Sequence, residues 1–431
     1  MNKALLSFDL YPKVVPIKEA VVVVIEVLDE KYAFKDMEYF VKVVAVSERI
    51  NEEFNGDTTV EAKVISSTKL SFKFSFPKEE EYFIRVYTRD MLMRGNRGLF
   101  QMSLYALKED LYKRIPLKGD FHSHSTGSDG RESPEIVASR YREKGFDFFA
   151  LTDHGAYEPS EKAYNAFREL NLDFNIVKGE EVHSYDNNVH IVNFGGKKSV
   201  HQQFRTKEGT DSFLKEVREI ESSLKNLSEE VDTFIYASCQ WIATEIRKVE
   251  GLAIFCHPFW EPNSRNVPVE QSISMLNSGM FDAFEILGGQ PVHTNNKQVA
   301  LYYDAKIRGK NEIPIVGNSD SHGTIDIHWF DYTKTIVFAS KNRTEDIIEA
   351  VKGNYSVAVE TPLNEQIRAY GSYRLVNYAH FLMNHWFPIH DALCVEEGRL
   401  MKEVYLSREG ARERIEMCKV DLNALIEKYF R

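Results

Sequence analysis

The chain has 431 residues, 43% of them hydrophobic and 28% charged, which is ample for ordinary globular cores and, at about 150 residues per unit, suggests two or three domains. A net charge of −11 makes nucleic acid an unexpected partner and disfavours anionic membrane, since both reward a basic face. The opening "MNKALLSFDLYPKVV" is too short an apolar run for a secretory signal, and no later run nears the ~20 residues that span a bilayer.

From the N-terminus to about residue 116 the chain reads as β-structure. "AVVVVIEVLD", "EYFVKVVAV", "TTVEAKVISS", "KLSFKFSF" and "EYFIRVYTR" are β-branched and aromatic runs, several alternating with period two. Polar turns separate them at the spacing of an all-β sandwich, expected over residues 1–116. The rhythm then changes. "SPEIVASRYREKG" opens with Ser133 as N-cap and Pro134 at the first helical position, and stops at Gly145. Strands follow in "FDFFALTDH", "FNIVKGEEV", "NVHIVNFGG", "LAIFCHPF", "FDAFEILGG" and "IPIVGNSDSHG", most of them separated by helical segments. With "KGDFHSHS" that makes seven apolar strands of a βα pattern, so the fold class is α/β and a barrel is expected over residues 117–370. Residues 371–431 read as a helical extension. The four cysteines, Cys239, Cys256, Cys394 and Cys418, include no CxxC pair and read as reduced thiols. A cytoplasmic location is expected.

None of the 13 histidines precedes His122, and ten lie between His122 and His328. In a strand, residues two apart face the same way, so His122 and His124 aim at one point. Further donors fall at the ends of other strands: Asp129 in the turn after the first, then Asp153, His154, Glu180, Glu181, His257, Asp320 and His322, with His190 on its own strand. In a βα barrel such positions converge on one mouth. Mixed imidazole and carboxylate donors suit zinc, manganese or iron, and their number calls for two or three ions with a bridging carboxylate. A single histidine beside a strand is more often a hydrogen-bonded core residue, but five strand ends sharing the habit are poorly explained by chance.

In this order "HSHSTGSDG", "ALTDHG", "KGEEV", "CHP" and "GNSDSHG" resemble the motifs of the polymerase and histidinol phosphatase (PHP) superfamily. The resemblance implies a distorted seven-stranded (β/α)7 barrel with a trinuclear metal centre, preceded here by a β-sandwich and followed by a helical tail. It implies one ion on His122, His124, Glu181 and Asp320, and a second on Glu181 as bridge with His190 and His257. The third would be held by Asp129, His154 and His322, Asp129 standing where some members have histidine. The preceding β domain is also similar in layout to a branch containing a carbamate-ester hydrolase acting on carbaryl.

Clustered dications lower the pKa of bound water, polarise the scissile oxygen and neutralise charge. The activity implied is hydrolysis of a small phosphorylated molecule, with Glu181, His257 and Asp320 central to it. Hydrolysis of a carbamate, ester or amide by the same centre is the alternative, and a non-catalytic scaffold that keeps metal for structure is a third reading. Arg131 and Arg265 could clamp phosphate oxygens or be solvated loop arginines. His183 and His293 could protonate a leaving group or be ordinary hydrogen-bonded residues. His328 and Trp329 could wall a pocket. Asp153 is expected to orient a ligand rather than bind metal, and Glu180 to face away from Glu181 by strand alternation. His201, His380, His385 and His390 are assigned no role, the last three being spaced by five and so on different helical faces.

Overall fold

The computed structural model describes residues 7–46, 57–95, 98–183, 187–260, 266–309, 312–325, 329–363 and 365–431. The chain divides into two units, one of residues 1–115, 377–390 and 420–431, the other of residues 116–376 and 391–419.

In the first unit the strands are β1 (Phe8–Tyr11), β2 (Val14–Pro16), β3 (Ala20–Val27), β4 (Tyr39–Ala45), β5 (Asp57–Ser66), β6 (Lys69–Ser75), β7 (Glu80–Thr88) and β8 (Phe100–Leu107), with short helices α1 (Arg89–Met93) and α2 (Glu109–Tyr112). They form one sheet in the order β1-β3-β6-β5-β4-β7-β8-β2. β5 changes partner along its length: up to Ala62 it pairs with β4, and from Lys63 with β6. Inward residues of the two halves, among them Val23, Ile25 and Phe72 on one side and Val41, Ile84 and Leu104 on the other, share one core. Alternating burial along β4 is the signature of a strand with one wet face. The expected two-layer packing is thus built from a single sheet bent at β5, and β1, β2 and β8 join it although their sequences carry little alternation.

The second unit continues with β9 (Ile115–Asp120), α3 (Pro134–Glu143), β10 (Phe148–Leu151), α4 (Glu158–Phe167), β11 (Asn175–His183), β12 (His190–Phe194), α5 (Lys207–Ser223), α6 (Thr233–Lys248), β13 (Leu252–Phe255), α7 (Val269–Asn277), β14 (Ala283–Leu287), α8 (Val292–Gly309), β15 (Ile315–Gly317), β16 (Thr333–Ala339), α9 (Thr344–Lys352), β17 (Ser356–Glu360) and β18 (Arg368–Tyr370). Helices α10 (Tyr373–His385), α11 (Phe387–Tyr405) and α12 (Ala411–Phe430) follow, and their residues are shared between the two units.

The sheet runs β15-β14-β13-β12-β11-β10-β9-β16-β17-β18. Strands β10, β13 and β14 are buried on both faces, which is why they read as unbroken apolar runs. Gly119 is dictated by a close approach: a Cβ there would lie 1.9 Å from the Phe148 ring on β10. Two backbone bonds bring the far end of the sheet round to β9. The His124 N–H donates to the Ser321 carbonyl at 2.9 Å, and the Asp320 N–H to the His122 carbonyl at 3.0 Å.

The parallel pattern expected is broken at β12 and again where β17 runs antiparallel to β16 and β18. β12 is antiparallel to both β11 and β13, since the six residues between β11 and β12 are too few for the crossover that a parallel pair needs. That reversal decides where His190 lies. It begins β12 and pairs in register with His183 at the end of β11, so it reaches the same mouth from the opposite chain direction.

Residues 391–419 complete the packing of the second unit through a buried ion pair. Arg142 on α3, fully buried, bonds through Nε to Glu397 and donates from Nη1 to the Phe146 carbonyl at 2.9 Å. Removing one member leaves the other charge buried and uncompensated, which costs about 3–5 kcal/mol. Glu397→Met is therefore expected to lower the midpoint of thermal unfolding, and Arg142→Met/Glu397→Met to recover much of the loss, as read by calorimetry.

Candidate metal centre

Glu181 sits at the middle of the mouth with no solvent exposure. Its Oε1 lies 2.7 Å from His190 Nδ1 and 3.0 Å from His257 Nε2. Its Oε2 lies 2.6 Å from His154 Nδ1, 3.3 Å from His122 Nε2 and 3.5 Å from His124 Nε2. Asp320 Oδ1 approaches the same histidine pair, 3.3 Å from His122 Nε2 and 3.0 Å from His124 Nε2. At the solvent edge Asp129 Oδ1 is 3.5 Å from His154 Nε2 and 3.2 Å from His322 Nε2.

The backbone is bent to make this possible. His257 has φ +20° and Asp320 φ +47°, conformations that non-glycine residues hold only when their surroundings impose them, and that concentrate at functional sites. Asp120 helps impose the second. Its buried carboxylate accepts the N–H groups of His122 and Ser319, at 3.1 Å each, and the Tyr141 hydroxyl at 2.9 Å. Burial pushes its pKa up to about 6. Asp153 binds the turn after His124, taking Ser125 N–H at 2.8 Å and the hydroxyls of Ser125 and Ser128 at 2.7 and 2.6 Å. The same Ser128 oxygen is 3.5 Å from His124 Nδ1, so Asp153 reaches the ring through a serine. Gly130 closes that turn, where a Cβ would stand 2.6 Å from the Ser125 nitrogen.

Electrostatics sorts the groups. Burial alone would raise Glu181, yet the rings of His190, His122 and His154 hold it well below the usual carboxylate range. Asp320 is likewise pushed up by burial but held below its ordinary value by His122 and His124. Burial drives His124 down to about 3 and His190 down to about 4, leaving both rings neutral with lone pairs free. His154 is opposed by burial but raised to about 10 by Glu181 and Asp129. A bond from His154 is the main reason Asp129 lies below its ordinary value.

The residues fit divalent ions. Glu181 Oε2 and His190 Nδ1 are buried with no hydrogen bond of acceptable geometry, despite their close neighbours. His122 Nε2 and His124 Nε2 point at each other 3.2 Å apart, an arrangement of imidazoles that a shared cation would reconcile. His122 Nδ1 meets Glu285 Oε2 at 3.0 Å, which assigns the ring proton to Nδ1 and leaves Nε2 as a ligand atom. Donor atoms within 4.8 Å of one another fall into overlapping groups: His122, His124 and Glu181; His122, His257 and Asp320; His154, Glu181, His183 and His190; and His124, Asp129, His154 and His322.

All nine residues expected as ligands thus meet in one place. His183 joins them, its Nε2 2.7 Å from His154 Nδ1 and its ring stacked on His190 at 3.9 Å. Glu180 faces the other way, accepting the Ser199 hydroxyl at 2.6 Å and the Val200 N–H at 2.5 Å. Arg131 is exposed, and its N–H donates to the His322 carbonyl at 3.0 Å, which sets it beside the outer group. His293 is exposed on the first turn of α8 and belongs to none of the donor groups found among the described residues. Arg265 and His328 lie outside the described residues. Trp260 stands against His190, ring centroids 5.4 Å apart, and Trp329 packs edge-on to Tyr332 at 5.5 Å.

Glu285 is a residue the sequence reading passed over. It is fully buried on β14 and accepts from Asn318 Nδ2 at 2.8 Å as well as from His122. Its signal was present in "FDAFEILGG", a carboxylate inside an otherwise apolar strand, which is rare without a partner. Such ring-orienting carboxylates are worth about 10–100-fold in metal affinity. Glu285→Gln is expected to weaken Zn²⁺ or Mn²⁺ binding by about that factor in a competition titration with a coloured chelator, with the fold retained by circular dichroism.

Comparison with known proteins follows the same residues. Residues 120–243 match the PHP domain family. A stretch of 110 residues is 31% identical to the DNA polymerase/3'-5' exonuclease PolX of Bacillus subtilis, covering 26% of this chain and 18% of that protein. The chain therefore spans about a fifth of the length of that relative. Among solved structures, a two-domain protein from Bacteroides vulgatus containing a predicted PHP-like metal-dependent phosphoesterase is similar at 19% identity and TM-score 0.41, over 57% of this chain and 65% of that one. A metal-dependent phosphoesterase from Bifidobacterium adolescentis is similar at 19% identity and TM-score 0.34, over 48% of this chain and 88% of that one. The donor-bearing segments from His122 to His190 fall inside the matched region, and residues 120–243 are thus the PHP domain of this chain.

Proposed function

We propose that the chain is a metal-dependent phosphoesterase acting on a small phosphorylated molecule. The observation that carries the reading is Glu181, a buried carboxylate whose two oxygens are shared among five histidines. In this reading β9–β15 form the distorted seven-stranded barrel of the family, and its mouth holds two or three zinc, manganese or iron ions. His122, His124, Glu181 and Asp320 would hold the first, Glu181, His190 and His257 the second, and Asp129, His154 and His322 the third. When bound, such ions supply Lewis acidity, an activated water and compensation for phosphate charge.

The chain's own residues do the rest. Asp129 and His322 are partly exposed while Glu181 and His122 are buried, so a substrate meets the outer donors first. Arg131, whose backbone N–H bonds to the His322 carbonyl, would take phosphate oxygens bidentately through its guanidinium. His183 is the imidazole at the boundary between the centre and solvent, placed to hand a proton to a departing alkoxide. Trp260 beside His190 and His257 restricts water on that flank.

Two outcomes are expected. Protein supplied with Mn²⁺ or Zn²⁺ releases inorganic phosphate from phosphomonoesters, and a chelator followed by dialysis stops it. Asp320→Asn or His257→Ala removes several kcal/mol of charge stabilisation and so lowers kcat/KM by roughly 100-fold or more without unfolding the chain. Full activity in either variant, or turnover of neutral carbamates and esters with no phosphate release, would overturn the phosphoesterase reading.

A further inference from the structure

A cavity of about 430 Å³ opens beside His183, a size typical of small-molecule sites. Its polar wall consists of the carboxamides of Asn187, Asn188, Asn266 and Gln271, and Val189 and Val267 give it apolar ground. His183 belongs to both places: it lines the cavity, and its Nε2 lies 2.7 Å from His154 Nδ1 in the donor cluster.

Gln271 is the telling side chain. It is 1% exposed, and its Oε1 accepts the Asp232 N–H at 2.8 Å, where Asp232 caps α6. That bond settles which end of the amide is oxygen. Its Nε2 is buried without a hydrogen-bond partner, a costly state for an N–H donor and one that turning toward an acceptor held in the cavity would relieve.

We propose that this cavity is the subsite for the alcohol portion of the substrate, and that this portion is an uncharged, multiply hydroxylated group of the sugar or polyol type. The proposal rests on the phosphoesterase reading for its place in the reaction, but not for its chemistry. A hydroxyl both donates and accepts, as carboxamides do. Among the described lining residues His183 is the one titratable side chain, so an ammonium or a second phosphate would lose its hydration with no fixed counter-charge. The described lining residues include no phenyl, phenol or indole ring, so among them a flat aromatic group would have little to stack on.

The test uses the full chain and free alcohols, which need no turnover. Sorbitol and glucose are the neutral probes, with ethanolamine and phenol as comparators, each followed by saturation-transfer NMR. Gln271→Glu keeps the oxygen that accepts from Asp232 and replaces the free N–H2 by a carboxylate oxygen. The expected result is saturation of sorbitol or glucose but not of the comparators, weakened about tenfold or more in Gln271→Glu and unchanged in Asp320→Asn. In turnover, a hexose phosphate should exceed phenyl phosphate in kcat/KM by about tenfold, with the loss in Gln271→Glu appearing in KM. Should that variant unfold, Asn266→Leu serves in its place. Equal saturation by phenol or ethanolamine, or sugar binding indifferent to both variants, overturns the assignment. Sugar binding that depends on Gln271 without any phosphate release would sink the phosphoesterase reading and leave the cavity standing; phosphate release without sugar binding would do the reverse.

Discussion

A carboxylate with no exposure to water is costly unless it is matched by charge and by bonds to both oxygens, and Glu181 is such a group. Five histidines from three strand ends and one strand start converge on it, at 2.6–3.5 Å. Protons on His154 and His122, both raised by the surrounding carboxylates against the effect of burial, supply part of that match, and the neutral rings do not. His122 gives its Nδ1 proton to Glu285, and burial keeps His124 and His190 neutral at ordinary pH. What remains is a shell of lone pairs and carboxylate oxygens that cations complete.

Much of the surrounding fold serves to deliver those atoms to one place. The reversed β12 puts His190 in register with His183. Backbone bonds between residues 122–124 and 320–321 bring together the two most distant ligand-bearing segments in the sequence. Asp120 and Asp153 clamp the segments on either side of the histidine pair, and the positive φ angles of His257 and Asp320 are the strain that this convergence imposes. The innermost donors are rigidly buried, whereas Asp129, His154 and His322 keep some exposure, which grades the centre from a fixed floor to a mouth open to substrate.

The clustering of these donors was legible because most of them sit at the end of an apolar run, where strand period and fold geometry fix their direction; His190, which starts its strand, and Asp129, in a turn, are the exceptions. Glu285 was less visible, since nothing local distinguishes an ion-orienting carboxylate from any other until His122 is placed beside it. The sense of β12 was hidden because an apolar strand reads alike in either direction; only the missing helix between "KGEEV" and "NVHIV" hinted at it. The β-sandwich strands with clean alternation were readable, while β1, β2 and β8 owe their places to pairing partners distant in sequence. The carboxamide cavity is assembled from residues 183, 187–189, 235, 266–268 and 271, its neutral polar side chains carrying no signal one at a time.

The most direct test of the account counts ions and protons together. Metal-free protein is titrated at pH 7 with Zn²⁺ or Mn²⁺ in weak buffer, following bound metal and released acid. Because Glu181 and Asp129 raise His154 to about 10, that ring is protonated at pH 7 without metal and must lose its proton on ligation. The account predicts uptake of two or three equivalents with release of protons, and a clear reduction of both in Glu181→Gln. Failure of the chain to bind these ions, or binding undiminished in Glu181→Gln, would contradict it.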